Sequence, residues 1–317
     1  MKVRQIFGTK VVPANREVGL EIEMEGINVA SIRGVRNKWK SEQDASLRGN
    51  SVEWVLPGPV ERQTVRRRIH SLSVAIKRSP HKVKLLPSDR CGVHVHINVQ
   101  PLEEEELFKF ITLYLMFEPL LVHWCGDDRE GNMFCLRAID AEELILALMY
   151  VRRTGSWRGI AHDGYRYAAM NVAALAKYGS LEFRAMRTPE NLMRIPVWVD
   201  ALLALKDYAL RMETCEDMVH GISAMGFGPF AQEVLGVELF QEFWCPEGDR
   251  LIATGTRLAQ MVAFTKREQK KADPVEALLV RGEAQPDKPQ RGAVPLRAPL
   301  PDLIQPVEIN LEPEAEN

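Results

Sequence analysis

Four short stretches of the chain alternate apolar and polar residues with the period of a β-strand, and their polar positions are rich in Glu, His and Arg. They lie at about 17–25, 51–56, 93–99 and 181–185. Successive side chains of a strand point to opposite faces, so each stretch has an apolar face that can pack against helices. If the strands share a sheet, the carboxylates on the other faces repel one another unless a cation or cationic ligand lies among them. The pattern therefore indicates a catalytic sheet.

The first stretch places Glu21, Glu23 and Glu25 on one strand face, and the second stretch adds Glu53. Carboxylate oxygens suit hard cations such as Mg²⁺, and alternate residues of a strand bring them to one side. A solvated face of an antiparallel sheet produces the same alternation. By itself, this pattern leaves both interpretations open.

The third stretch carries His94 and His96 on one face. Two such imidazoles could bind zinc, contact a magnesium-bound nucleotide or fill a polar patch. The carboxylates, arginines and asparagine of the other segments favour a site for a hard cation and phosphate over a zinc site.

Three arginines between residues 166 and 187 are candidates for binding phosphate, because a planar guanidinium holds phosphate oxygens by paired hydrogen bonds. They are Arg166, Arg184 and Arg187. An ordinary ion pair between Glu182 and Arg184, which share a strand face, is the alternative for that arginine. The chain has no phosphate-binding Gly-x-x-x-x-Gly-Lys-Ser/Thr loop, no Gly-x-Gly-x-x-Gly fingerprint and no Gly-x-Ser-x-Gly elbow, so any nucleotide must be bound in another way.

The composition is typical of a globular protein. The 317 residues are 46% hydrophobic, which suffices for a sizeable core, and the net charge of -2 argues against nonspecific binding of nucleic acid. The basic segment 62–90 has no interleaved aromatic residues for base stacking, so it is interpreted as a solvated helix face.

The start of the chain, MKVRQIFGTK, lacks the apolar core of a signal peptide, and no uninterrupted apolar run is long enough to cross a bilayer. The five cysteines form no Cys-x-x-Cys pair and are expected to be reduced, mostly structural thiols. These features predict a cytoplasmic protein that does not associate with a membrane.

Several helices are expected to pack on the apolar side of the sheet. Apolar residues at steps of three and four predict an amphipathic helix over 60–77, and the acidic run 103–106 supplies negative charge to the first turn of the next helix. Two glycine-rich segments, 152–166 and 221–229, are expected to form a loop near the site and a turn. The other predicted helices are 141–150, 194–212, 229–240 and 249–271.

The composition changes at about residue 273, after which proline recurs and aromatic residues are few. Such a segment cannot bury enough apolar surface to fold alone. The chain is therefore predicted to consist of a catalytic domain, 1–272, and an extended C-terminal tail, 273–317, in which 300–311 is a candidate for docking on the body or on a partner.

In this order, the motifs GLEIEMEG, DASLRGNSVEWVLP, CGVHVHINV and YRYAAMN…SLEFRAMRT resemble those of the amidoligases of the glutamine synthetase-like carboxylate-amine ligase superfamily, whose members often occur in phage and fungal genomes. The resemblance covers roughly residues 17–205. It implies an α+β fold in which an antiparallel sheet forms a half-open barrel, with helices on the outer face and magnesium-ATP on the inner face. It also implies that ATP phosphorylates a substrate carboxylate and that an amine then displaces phosphate to form an amide.

The resemblance and the residue patterns together give an expected role to each candidate. The expected metal ligands are Glu21, Glu23, Glu53, His94 and Glu182, with Glu25 as a further acid. The expected nucleotide-binding residues are His94, Asn171, Arg184 and Arg187. The expected catalytic residues are Arg166 and Arg184, which would stabilise the transferring phosphoryl group, and Asp44 and His96, the candidates for the base that deprotonates the amine.

The motifs depart from the family pattern at two places. Leu56-Pro57 stands where relatives commonly have Ser-Pro, and residues 186–188 follow only loosely the usual run into Gly-Thr, which leaves the handling of the substrate open. A carboxylate and an amine, including those of peptides or proteins, are the expected partners, and no specific nucleic acid is expected. Two other functions stay open: a metal-dependent hydrolase or phosphotransferase with zinc or manganese at His94 and His96, and a noncatalytic assembly protein that retains the fold.

Overall fold

The alternating stretches of the sequence become neighbouring strands of one antiparallel sheet. The computed structural model describes residues 1–27, 32, 34–35, 37–79, 88–160 and 163–268. The strands are β1 (Val18–Glu25), β2 (Lys40–Glu42), β3 (Ser51–Val55), β4 (Gly92–Asn98), β5 (Met170–Asn171) and β6 (Ser180–Arg187). Their order is β2-β3-β1-β4-β6-β5, and the sheet does not close into a barrel within the described residues. The predicted α+β class with an antiparallel sheet is confirmed.

Helices pack against the sheet and against one another. They are α1 (Val3–Phe7), α2 (Arg62–Lys77), α3 (Glu104–Cys125), α4 (Glu142–Thr154), α5 (Ala174–Tyr178), α6 (Arg194–Arg211), α7 (Cys215–Met225), α8 (Phe227–Leu235), α9 (Val237–Phe243) and α10 (Gly248–Ala263). Short 3₁₀ turns lie at Asp127–Arg129, Ala138–Asp140 and Asp163–Tyr167. The apolar positions of the predicted amphipathic helix are buried in α2, as its periodicity requires.

The central helix α3 is buried on nearly every side and packs behind the sheet. Its Phe110 and Tyr114 contact Phe183 of β6, with ring centroids 5.7 and 4.7 Å apart. At the start of α3 the Glu106 carboxylate accepts the backbone N–H of Glu103 at 2.7 Å. The acidic run therefore stabilises the N-terminus of the helix, as predicted.

The length and composition of α3 would allow it to cross a membrane, although no such run was expected from the sequence. Within the protein, however, 89% of its most apolar window is buried. Phe110, Tyr114 and the other apolar side chains of α3 contact protein rather than the surroundings, which is typical of the core helix of a globular domain.

The prediction of a turn over 221–229 is wrong, because both of its ends lie inside helices. The chain instead breaks at Gly226, which has a φ of 77° that favours glycine. Pro229 lies in the first turn of α8, where a backbone N–H has no intrahelical partner and proline is tolerated. A second glycine with a φ of 77°, Gly236, divides the predicted helix 229–240 into α8 and α9.

Other predicted boundaries shift by a few residues. The segment 152–166 is a loop only in part, since α4 continues to Thr154 and ends at Gly155, whose φ is 70°. Helix α10 ends at Ala263 instead of continuing to 271. The predicted tail, 273–317, with its docking candidate 300–311, lies outside the described residues and stays a prediction.

We expect the stability of the fold to depend on pH through Glu118, a fully buried residue of α3. Burial raises the pKa of Glu118 to about 8 from 4.5, although the Ala138 N–H donates to its Oε2 at 2.6 Å. Between these pH values the folded chain binds a proton that the unfolded chain does not, so the free energy of unfolding falls as pH rises, by at most about 1.4 kcal/mol per pH unit.

The substitution Glu118→Gln removes this titration and keeps an oxygen that can accept the Ala138 N–H. We therefore expect the variant to gain stability relative to the natural chain as pH rises from about 5 to about 8. Urea denaturation at four pH values in that range measures the difference. Parallel stability curves for the two proteins would show that Glu118 is ionised throughout.

Candidate active site

His94 lies at the centre of a group of carboxylates contributed by neighbouring strands. Its Nδ1 is 3.2 Å from Glu21 Oε2 and 3.8 Å from Glu182 Oε1. Its Nε2 is 3.8 Å from Glu23 Oε1. The two ring nitrogens thus face different carboxylates, from β1 and β6 on one side and from β1 on the other.

Two overlapping sets of possible metal ligands share this histidine. In each set the ligand atoms all lie within 4.8 Å of one another. The sets are Glu21, His94 and Glu182, and Glu23, Glu53 and His94. All five side chains proposed as metal ligands on sequence grounds therefore converge, and we call them the His94 cluster.

The register of the sheet explains this convergence. Glu21 of β1 lies opposite His94 of β4, and Glu23 lies opposite Glu53 of β3. Directly opposite residues of antiparallel strands have Cβ atoms about 4.5–5.5 Å apart, so charged groups on neighbouring strands meet. Glu182 of β6 enters from the other side of β4, where it is paired with His96.

Gly92 makes room for the His94 imidazole. A Cβ atom at this position would lie 3.0 Å from His94 Nε2 and 3.3 Å from Glu23 Oε2. The Gly92 N–H also donates to Glu23 Oε2 at 2.7 Å, which fixes that carboxylate in place. The glycine of the Gly-x-His-x-His motif is therefore required by the close approach of two candidate ligands.

The carboxylates of the His94 cluster differ in their affinity for protons. Burial raises the pKa of Glu53 to about 7, and the charges of Glu21, Glu23 and Asp44 add to the effect. Burial acts in the same direction on Glu21 and Glu182, but nearby His94 and His96 outweigh it and lower the pKa of both, with Arg184 contributing at Glu182. These three carboxylates therefore ionise over different pH ranges.

Asn171 and Arg184 hold Glu182 in position. The Asn171 side chain donates to Glu182 Oε2 at 2.7 Å, and Arg184 forms a short ion pair with Glu182 Oε1. The Arg184 Nε is buried and has no hydrogen-bond partner among the described residues. The ion pair considered from the sequence is therefore present, and one donor of the same guanidinium stays unused.

His96 lies beside the cluster on the same strand. Its Nδ1 is 3.1 Å from Ser180 Oγ, within hydrogen-bond distance. Its Nε2 is 3.5 Å from Glu21 Oε1, which is close enough for an ion pair but lacks the geometry of a hydrogen bond. Burial lowers the pKa of His96, but Glu21 and Glu182 outweigh it, so the net shift is upward.

Three predicted site residues make contacts outside the His94 cluster. Arg166 is exposed and lies over the ring of Tyr167, 4.7 Å from its centroid. Arg187 pairs with Asp128 at 2.6 Å. Asp44 accepts the Ser46 N–H at 2.6 Å and reaches the cluster only through its charge, which acts on Glu53.

Glu25, the further acid of β1, is buried but belongs to neither ligand set. Its Oε1 accepts the backbone N–H of Arg48 at 2.7 Å. Glu25 therefore binds a loop, whereas Glu21 and Glu23 face His94.

Two residues near the cluster were not identified from the sequence. Ser180 has the same two-residue spacing from Glu182 as Arg184 does, so strand periodicity could have identified it. Arg129 is 2% exposed and donates to the carbonyl oxygens of Arg184 and Ala185 at 3.0 and 2.7 Å. It lies in a 3₁₀ turn far from β6 in the chain, and no periodic pattern points to it.

A cavity of about 510 Å³ adjoins the His94 cluster. Glu21, His96 and Ser180 are among its lining residues, which also include the exposed ring of Tyr178. The basic side chains that line it are Lys10, Arg16, Lys40 and Lys177. The cavity therefore offers a path by which an anionic ligand can reach Glu21 of the cluster.

The comparison with protein families agrees with the motifs. A family model described as "Putative amidoligase enzyme" matches residues 30–195, which is more than half of the chain. The match includes Glu53, His94 and Glu182, whereas β1 with its two candidate ligands precedes it. A search of the curated proteins found no match. The chain belongs to the amidoligase family.

Proposed function

We propose that this protein is an ATP-dependent carboxylate-amine ligase that forms an amide through an acyl phosphate, with Mg²⁺ bound at the His94 cluster. The observation that carries the proposal is the pair of ligand sets that share His94. A pair of adjacent cation sites suits the transfer of a phosphoryl group, whose charge must be neutralised on several oxygens.

The donor set fits divalent cations. Glu21, Glu23, Glu53 and Glu182 supply carboxylate oxygens, the ligands that Mg²⁺ prefers. Burial and the neighbouring carboxylates raise the pKa of Glu53 to about 7, and a divalent ion beside it would favour the ionised form. When bound, Mg²⁺ would screen the negative charge of the phosphates during the transfer.

Arg184 is the residue that we expect to contact the transferring phosphoryl group. Its guanidinium is held by Glu182, and its buried Nε donor is unused among the described residues. A donor that is already oriented stabilises charge without reorganisation during the reaction. Arg166 and Arg187 would have to leave Tyr167 and Asp128 to contribute.

The reaction balances in two steps. A carboxylate oxygen of the substrate attacks the γ-phosphorus and releases ADP, and the amine then attacks the acyl carbon and releases phosphate. The proton lost by the amine passes to a base, for which His96 on the cavity wall is better placed than Asp44, whose Oδ1 accepts the N–H of its neighbour Ser46.

His94 belongs to both ligand sets, and imidazole suits zinc better than magnesium, so a zinc or manganese site is the second candidate. With such a metal the same cluster would serve a hydrolase or phosphotransferase that needs no ATP. The response to nucleotide, the bound metal and the formation of hydroxamate distinguish this function from the ligase.

We expect ATP and Mg²⁺ together to raise the thermal unfolding midpoint of the protein, because a ligand of the folded state stabilises it. Turnover is then measured with pools of amino acids and peptides as carboxylate donors and hydroxylamine as the amine, since an acyl phosphate is trapped as a coloured hydroxamate. ATP-dependent hydroxamate supports the ligase. Tightly bound zinc, no response to nucleotide and no hydroxamate would instead favour the hydrolase.

A further inference from the structure

A second group of metal-ligating side chains lies outside the His94 cluster. It consists of His123, in the last turn of α3, and of Cys245 and Glu247, in the turn between α9 and α10. One ligand atom of each residue lies within 4.8 Å of the others. The chain thus brings a nitrogen, a sulfur and an oxygen donor together from segments more than a hundred residues apart.

This donor set differs in kind from the His94 cluster. Thiolate and imidazole favour Zn²⁺ and similar transition metals over Mg²⁺, and three protein ligands leave a fourth position for water. Glu130 Oε1 lies 3.7 Å from His123 Nδ1. This carboxylate adds a negative charge beside the proposed ligands.

The surroundings of Cys245 are compatible with a metal-bound thiolate. The side chain is half-buried, so solvent metal can reach it, and Glu247 is exposed. Binding would release the thiol proton to solvent, as at other cysteine-ligated metals.

We propose that His123, Cys245 and Glu247 form a binding site for a zinc-class transition-metal ion, independent of the ligase site. The ion would tie the end of α3 to the start of α10. The segment that leaves α3 at this point carries Arg129, whose side chain holds the carbonyl oxygens of β6 at Arg184 and Ala185. The site would therefore stabilise the segment after α3, which holds β6 through Arg129, and would not take part in catalysis.

Cobalt titration of the chelator-treated full chain tests the site, because Co²⁺ bound to a thiolate gives a near-ultraviolet charge-transfer band that carboxylates and imidazoles do not give. We expect the band in the natural chain and its loss in Cys245→Ser. The matched control is Cys91→Ser, which removes the thiol that precedes β4 beside the His94 cluster and should leave the band unchanged.

Two further measurements use the same proteins. His123→Gln should weaken the binding of Co²⁺ by at least about 10-fold, which keeps the test decisive if Cys245→Ser does not fold. At a Zn²⁺ concentration of about 100 times the dissociation constant, the unfolding midpoint of the natural chain should rise by about 5 °C more than that of Cys245→Ser. Absence of the band at saturating Co²⁺, its persistence without Cys245, or its loss without Cys91 would overturn the proposal.

Discussion

Replacing Glu23 with Gln should lower ATP turnover by about 10³-fold or more, because loss of this proposed metal ligand would remove several kcal/mol of charge stabilisation from the transition state. Glu23 is 5% exposed and belongs to one of the two ligand sets around His94. The amide oxygen of Gln can still accept the Gly92 N–H that now binds Glu23 Oε2. The substitution therefore removes charge from the cluster while it conserves the local hydrogen bond and the volume.

Glu25→Gln is the matched control. Glu25 lies on the same strand, is 7% exposed, and accepts a backbone N–H from Arg48, yet it belongs to neither ligand set. We expect Glu25→Gln to keep turnover within a few-fold of the natural chain, with both variants unfolding near the natural temperature. Equal losses of turnover in the two variants would indicate that the carboxylates of β1 act through stability or general charge. Full activity in Glu23→Gln would show that Glu23 is not a metal ligand in the reaction.

The His94 cluster was predictable from sequence because each member lies on a strand. A two-residue period fixes which side chains share a face, and Glu21, His94 and Glu182 follow that period in three separate stretches. The period does not fix which strands are neighbours. The order β3-β1-β4-β6, which places His94 between two carboxylate strands, comes from the packing of the whole sheet.

The sheet does not bring the predicted site residues of loops and turns into the His94 cluster. Arg166 lies in a 3₁₀ turn and Asp44 in a loop, where side-chain direction depends on local backbone geometry that no periodicity reveals. Arg187 is at the end of β6, and its partner Asp128 comes from a turn distant in sequence. The roles given to Arg166, Asp44 and Arg187 stay predictions.

The boundaries of helices were predicted wrongly at glycines, because glycine can have more than one role. Gly221 and Gly226 belong to one predicted turn, yet Gly221 lies inside α7 and only Gly226, with its positive φ, ends the helix. In sequence, a glycine that permits a left-handed backbone looks the same as one that permits close packing. Gly255 of α10 is of the second type, and it has the largest predicted effect on stability.

Gly255→Ala should destabilise the protein by about 3 kcal/mol, because α10 crosses α3 at this residue with no room for a methyl group. A Cβ atom here would lie 2.3 Å from the carbonyl oxygen of Met116 and 2.4 Å from that of Leu115. These are backbone atoms of the helix that packs behind β6, so the two helices would have to separate. The unfolding midpoint should fall by about 5–10 °C, measured by circular dichroism at constant protein concentration.

Gly228→Ala supplies the contrast that separates packing from helix propensity. Gly228 also lies in a helix, α8, but a Cβ atom there meets nothing within 4 Å. Alanine favours the helix over glycine by up to about 1 kcal/mol, so this variant should be as stable as the natural chain or slightly more stable. Opposite signs for the two substitutions are expected only if the backbones of α3 and α10 approach each other closely at Gly255. Similar changes in stability for both would mean that the crossing at Gly255 is wider, and that the helix behind Phe183 and the His94 cluster is held less tightly than its contacts indicate.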